Sequence, residues 1–158
     1  MPDISGLVDA VRRHYDDGCF ACGRDNPIGL HLDDFSLNGP RVSARFTPRP
    51  EYRGAGRALH GGIAATALDE MLVWAGILTE GVLTVTGTMD IRFRRPVHVG
   101  DPISVSARVD DRSGRRLQIS GSLDVGDETR VEAAGLYLVS ASLQEILAGH
   151  GSVGQGSD

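Results

Sequence analysis

The stretch His60-Gly61-Gly62-Ile63-Ala64-Ala65-Thr66-Ala67-Leu68-Asp69-Glu70-Met71-Leu72-Val73-Trp74-Ala75 decides the fold. Two glycines open a helix that is apolar nearly all the way round, which marks it as buried rather than as a surface helix. Its only ionisable groups are two adjacent carboxylates, Asp69 and Glu70. A carboxylate in an apolar helix costs several kcal/mol of desolvation unless something uses it. The glycine-rich start leaves the backbone N–H groups of Gly61 and Gly62 free to polarise an oxygen. A polarised carbonyl at one end and a carboxylate base in the middle are the parts of a hydrolytic site.

Spacing adds a constraint. Asp69 lies nine residues after His60, about 13 Å along a helix axis at 1.5 Å per residue. Groups that act on one reacting atom must lie within about 3 Å of it. If the helix start and the carboxylate serve one reaction, they come from different subunits, so a homodimer with composite sites is expected.

Composition bounds the rest. At 158 residues the chain is one domain with room for a core. A net charge of −5 gives no reason to expect nucleic acid. All 16 basic residues are Arg, and the absence of Lys removes Schiff-base chemistry and a phosphate-binding P-loop. No signal peptide and no run of about 18 apolar residues is seen, so a cytoplasmic protein without a membrane partner is expected.

Outward from the helix, the chain divides simply. Ile4, Leu7, Val8 and Val11 at helical spacing predict a short amphipathic helix over 4–15. Residues 16–40 read as irregular. Val42, Ala44 and Phe46 alternate and predict a strand over 41–47. A Pro- and Gly-bearing loop fills 48–59. The buried helix covers 61–79 and stops near Glu80-Gly81, a C-cap signal. Four runs of period two follow, about 82–95, 102–111, 115–125 and 129–140, separated by Val99-Gly100-Asp101-Pro102, Ser113-Gly114 and Gly126-Asp127. A short helix over 141–148 and a Gly/Ser-rich flexible tail from Gly149 complete the reading. The domain division is a lead-in over 1–40, a central domain over 41–140 and a terminal helix and tail over 141–158.

A strand, a long buried helix and then four antiparallel strands give an α+β domain in which one sheet of about five or six strands must wrap one helix. The segments Tyr52-Arg53-Gly54, His60-Gly61-Gly62, Leu68-Asp69-Glu70 and Asp90-Ile91-Arg92-Phe93-Arg94-Arg95-Pro96-Val97, ending in Gly100-Asp101, resemble the hotdog-fold acyl-CoA thioesterase superfamily (PaaI-like, related to 4-hydroxybenzoyl-CoA thioesterase) over roughly residues 19–140. The resemblance implies roles. Asp69 matches the family's catalytic carboxylate, acting as nucleophile or as base on water. The N–H of Gly61, with Gly62, matches the donor that polarises the thioester carbonyl, an interaction worth about 3 kcal/mol of barrier. His60 matches a residue that orients the site, and Thr86 a hydroxyl that holds the attacking water. Many relatives carry Asn six residues before the His. Here that position is Gly54, as in a subgroup this chain resembles.

Each residue also has a plainer reading. Asp69 could cap backbone groups or pair with Arg at a dimer seam. Glu70, about 100° round the helix from Asp69, is a structural partner or shares the role of base. His60 could simply cap the helix, and Thr86 could be one more β-branched strand residue. Arg92 and Arg94 fall on one face of the long strand and Arg95 on the other. Arginine binds phosphate bidentately, so these three, with Arg53 and Arg57, are candidates for the nucleotide end of CoA. The competing reading is a solvated rim or salt bridges to Asp90 and Asp101.

Cys19-Phe20-Ala21-Cys22-Gly23 has the spacing of a metal or redox motif. A closed zinc site needs four ligands, and His14 and His31, which would have to complete it, fit no such pattern. A thioredoxin-type motif needs a βαβ context. No metal and no cofactor are therefore expected. The run from Cys19 to Leu32 resembles the structural lead-in of some hotdog thioesterases. The expected protein is an acyl-CoA thioesterase acting on a small-molecule thioester, a homodimer or a homotetramer built as a dimer of dimers. Its acyl group would lie in a tunnel between the two central helices, lined by residues such as Ala65, Leu72, Val73 and Gly76. A non-catalytic acyl-CoA-binding protein and a hotdog hydratase or dehydratase are the alternatives; the latter needs a His base in a spacing this chain lacks.

Overall fold

The computed structural model describes residues 4–149. A first helix, α1 (Ser5–His14), leads through turns into β1 (Asp33–Asn38) and β2 (Arg41–Phe46). A 3-10 turn (Pro50–Tyr52) precedes the long helix α2 (Gly61–Glu80). Four strands then follow, β3 (Val82–Phe93), β4 (Ile103–Ser113), β5 (Arg116–Val125) and β6 (Glu128–Ser142), before a short α3 (Leu143–Ala148). The strands form one antiparallel sheet in the order β1-β2-β4-β5-β6-β3. Sheet and α2 together are the hotdog architecture that the sequence predicts.

Alternating strand residues face the helix. Val42, Ala44, Val105, Ala107, Leu117, Ile119, Leu123, Val131 and Tyr137 are all buried against Leu68, Met71, Leu72 and Ala75 of α2. The helix ends at Gly81, whose φ of 64° is a left-handed cap that a side chain would strain. By length and composition α2 is apolar enough to cross a membrane, although its carboxylates interrupt any continuous apolar run. Here it is the core helix, its inward side packed on the sheet.

Three expectations need correction. The stretch 16–40 contains a strand, β1, which pairs with β2 through the Asn38-Gly39-Pro40 turn. Alternating Phe35 and Leu37 ahead of Asn-Gly carry that signal, obscured by the aspartates around them. The long strand stops at Phe93, so Arg94 and Arg95 lie beyond its ladder. And the sheet is not alone in covering α2. Val8, Val11, Ala21, Cys22, Leu30 and Leu32 join the same core, and Phe35 packs on Trp74 with ring centroids 4.7 Å apart. That second cover explains an all-round apolar helix better than a wrapping sheet does. The tail lies, beyond Gly149, outside the described residues.

The N-terminal segment is tied down by specific bonds. The Arg12 guanidinium is buried and donates to the carbonyls of Cys22 (2.9 Å) and Leu32 (2.7 Å). Arg49 donates to the carbonyls of Pro27 and Gly29, and the Tyr52 hydroxyl donates to the Ile28 carbonyl at 2.9 Å. The lead-in is thereby fixed to the loop that enters α2.

Candidate active site

Asp69 sits on the side of α2 that faces β3 and β6. Its Oδ1 accepts hydrogen bonds from the Thr86 hydroxyl (2.7 Å) and the Tyr137 hydroxyl (2.8 Å). The two donors arrive together because Thr86 and Tyr137 are direct cross-strand neighbours, and opposed residues share a face of the sheet. The register of β3 shifts between Thr86 and Thr88, and Gly135 makes this possible. A Cβ at Gly135 would stand 2.2 Å from the Thr88 carbonyl and 3.0 Å from the Tyr137 ring. Both hydroxyls converge on Oδ1, which leaves Oδ2 without a protein donor among the described residues. Desolvation and the Asp69 charge push the Tyr137 hydroxyl well above its usual range, so it stays a proton donor. Thr86 was expected at this site. Tyr137 was missed, although a tyrosine at a core-facing strand position must find a partner for its hydroxyl.

At the helix start, His60 is the N-cap. Its Nδ1 accepts the Gly62 N–H at 2.9 Å, so of the two expected donors Gly62 is engaged. The Gly61 N–H makes no hydrogen bond among the described residues. Gly61 lies against the Phe93 ring and lines a cavity of about 270 Å³ with Ala64, Phe93, Arg94, Arg95 and Val97. Gly54 packs on the other side of His60, where a Cβ would stand 3.3 Å from the His60 Cα. Within one chain, Gly61 and Asp69 remain about 12 Å apart along α2.

Glu70 faces the N-terminal segment instead. Its Oε1 accepts from the Trp74 indole N–H at 2.8 Å, and its two oxygens lie 3.8 and 3.7 Å from the Cys19 Sγ. Burial, and then the Cys19 charge, push the Glu70 carboxyl up to about 7. The Cys19 thiol is drawn down to about 5, chiefly by its hydrogen bond with the Cys22 side chain and further by the N–H groups of Cys22, Ala21 and Gly23. That same bond, with burial, drives the Cys22 thiol upward. These groups line a largely apolar cavity of about 500 Å³ with Val11, Tyr15, Val73, Trp74, Ile77 and Leu83. Of the residues expected around an acyl tunnel, Val73 lines this cavity within one chain. Leu72 and Gly76 do not: Leu72 faces β5 at Gly121, and Gly76 faces Thr84 and Leu117.

The arginines do not act as one cluster. Arg94 pairs with Glu132 and Arg95 with Glu128, each at 2.6 Å, rather than with Asp90 or Asp101. Both line the Gly61 cavity. Arg92 lines a separate groove with Arg41, Asp90, Arg108, Ser120 and Ser122, on the sheet face opposite buried Leu117, Ile119 and Leu123. Arg57 lies by His98 and Asp101 in a shallow pocket near Pro96. The strand's end at Phe93 causes the split, because alternation ceases to place side chains beyond it.

Residues 56–132 match the Thioesterase superfamily. That match spans just under half of the chain, and the fold is that of solved members of the superfamily. It is 30% identical over 122 residues to acyl-coenzyme A thioesterase THEM4 of Bos taurus, which covers 75% of this chain and 50% of that protein. The chain thus spans about half the length of that curated relative. Among solved structures, zebrafish thioesterase superfamily member 2 superposes with a TM-score of 0.69 at 18% identity, over 85% of this chain and 96% of that one. A Streptococcus mutans protein bound to acetyl CoA superposes with a TM-score of 0.64 at 17% identity, over 70% and 91%.

Proposed function

We propose that this protein hydrolyses an acyl-CoA thioester to the free acid and CoA thiol. The observation that carries the reading is Asp69, a carboxylate on the core helix held on one oxygen by Thr86 and Tyr137, with its other oxygen uncommitted among the described residues. That is the arrangement of a positioned base. Oδ2 takes a proton from water as the water oxygen attacks the thioester carbon. The carbonyl oxygen gains charge and is met by the Gly61 N–H. The C–S bond then breaks, and the thiolate leaves with the proton that Asp69 returns. The kinship with an acyl-coenzyme A thioesterase and the fold shared with a protein bound to acetyl CoA support a CoA ester as substrate.

The 12 Å between Gly61 and Asp69 requires two copies of the chain for one site. Strand β3 is an edge of the sheet, 12 residues long. It leaves Val85 54% and Phe93 57% exposed, beside Thr86 and Gly61. A long unpaired edge is a ready template for a second chain. A homodimer joined along β3 would bring the Asp69 of one copy to the Gly61 of its partner. The cavity between α2 and the N-terminal segment takes the acyl group, since its lining is mostly apolar.

Thiol release measured over a panel of acyl-CoAs tests the activity. Wild type should turn over at least one chain length, and Asp69→Asn should lower kcat by about two orders of magnitude or more. Binding of several acyl-CoAs with hydrolysis of none would favour a carrier over an enzyme. A folded monomer at micromolar concentration by light scattering would rule out the composite site.

A further inference from the structure

We propose that Cys19, Cys22 and Glu70 form a binding site for a thiophilic divalent cation, zinc by its donor set, which fastens the N-terminal segment to the core helix. The three side chains come from two elements far apart in sequence, yet their donor atoms all lie within 4.8 Å of one another. A tetrahedral zinc with Zn–S near 2.3 Å and Zn–O near 2.1 Å sets its sulfur and oxygen ligands about 3.6 Å apart and two sulfurs about 3.8 Å apart. The Cys19 Sγ stands 3.7 and 3.8 Å from the Glu70 oxygens, so that edge of the tetrahedron is already near length.

The local chain is built to hold this shape. The Cys19-to-Gly23 loop closes with the Gly23 N–H on the Cys19 carbonyl at 2.9 Å. A Cβ at Gly23 would fall 2.2 Å from the Asp17 carbonyl and 2.5 Å from the Cys19 nitrogen. Only glycine permits a loop this tight, with both thiols brought to the side that faces α2. The Trp74 N–H takes Oε1 of Glu70 and leaves Oε2 for an ion. An indole donor of this kind fixes the orientation of a ligating carboxylate.

Charge and softness choose the ion. Two thiolates with one carboxylate suit zinc and not magnesium or calcium. With a divalent ion the cluster carries a single negative charge. The buried Arg12 guanidinium, bonded to the Cys22 carbonyl, lies behind it and offsets that charge. Three protein ligands leave a fourth position open, in the manner of sites that keep water or substrate on the metal. All three residues line the 500 Å³ cavity. Thr84 lines the same cavity, and its buried Oγ1 lacks a partner among the described residues.

The test uses the full chain, stripped of metal with a chelator under reductant and titrated with cobalt(II) alone. One equivalent per chain should give thiolate-to-cobalt charge-transfer absorption and the intense visible bands of a tetrahedral ion. Zinc should displace both. Cys19→Ser, Cys22→Ser and Glu70→Gln should each weaken zinc binding at least tenfold. Trp74→Phe, which removes no ligand, should weaken it ten- to a hundredfold. The wild-type spectrum decides the matter even if a variant fails to fold. Absence of the charge-transfer band overturns the proposal. So does unchanged affinity in the folded Cys22→Ser chain. A loss of two hydrogens by mass, forming a Cys19–Cys22 disulfide in the presence of zinc, overturns it in favour of a redox pair.

Discussion

Asp69 and Glu70 are neighbours on one helix, and the fold gives them opposite surroundings. Asp69 looks toward the β3 edge, where two hydroxyls hold one oxygen and leave the other uncommitted among the described residues. Glu70 looks toward the N-terminal segment, where an indole N–H and two thiols surround it in an apolar cavity. A step of about 100° round an α-helix separates them. What packs on each face, rather than the carboxyl group itself, determines what each can do. On the proposed function, one acts on a molecule arriving at an open edge. The other holds two parts of one chain together.

The sharpest way to break this contrast is through pH and stability. Burial raises the Glu70 carboxyl from 4.5 to about 7, so the folded state holds its proton where the unfolded chain has lost it. Stability is therefore complete below pH 4.5, falls as pH rises to about 7, and stays lower above. The loss is no more than roughly 3 kcal/mol from the size of the shift. In metal-free protein, Glu70→Gln should unfold at the same denaturant concentration as wild type near pH 4 and at a higher one at pH 8. If the two unfold alike at both values, Glu70 is not confined as described.

A second effect falls on the other carboxylate. Tyr137→Phe removes one of the two donors to Asp69 Oδ1, leaving the ring in place. Thr86→Val removes the other. Each should lower kcat about tenfold, or 1.4 kcal/mol of barrier, with KM nearly unchanged, because the donors position Asp69 rather than bind substrate. Thr86→Ser should restore most of the rate, since it returns the hydroxyl. A loss in Thr86→Ser with none in Thr86→Val would show that the methyl group, and not the hydrogen bond, matters there.

The two faces were not equally legible in the sequence. The His-Gly-Gly start, the apolar helix and the four alternating runs are local patterns, and they single out Asp69, Thr86 and His60, which the structure sets at a shared hydrogen bond and at the helix cap. Tyr137 escaped because its role depends on register: only the pairing of β3 with β6 sets it beside Thr86. The Cys19–Cys22–Glu70 grouping escaped for a related reason. The histidines nearest the cysteines in sequence, His14 and His31, are the further ligands that local spacing offers. Yet His31 bonds the Asn26 carbonyl at 2.6 Å, and the carboxylate comes from a helix 51 residues from Cys19. The burial of Arg12 was equally invisible, because an arginine on an amphipathic helix ordinarily faces water. Its bonds to Cys22 and Leu32 exist only once the segment has folded back.

The smallest effect concerns the arginines, and it separates two surfaces that the sequence merged. Arg94 and Arg95 line the cavity at Gly61, whereas Arg92 lines the groove on the far face of the sheet. If CoA enters with its carbonyl at Gly61, its phosphates meet the first pair. Arginine attracts phosphate equally in the ground state and the transition state, so the contribution is uniform binding. Arg95→Ala should therefore raise KM for an acyl-CoA several-fold with kcat unchanged. High salt should narrow the difference, since Arg95 is two-thirds exposed. Arg94→Ala should behave alike but more weakly, because Glu132 neutralises Arg94 alone among the described residues, whereas Glu128 is divided between Arg95 and Arg130. Arg92→Ala should leave KM as it is. A pantetheine thioester, which lacks the nucleotide phosphates, should show no response to any of the three. A rise in KM confined to Arg92→Ala would move the nucleotide to the groove beside Arg41 and Arg108, and would detach it from the Gly61 donor.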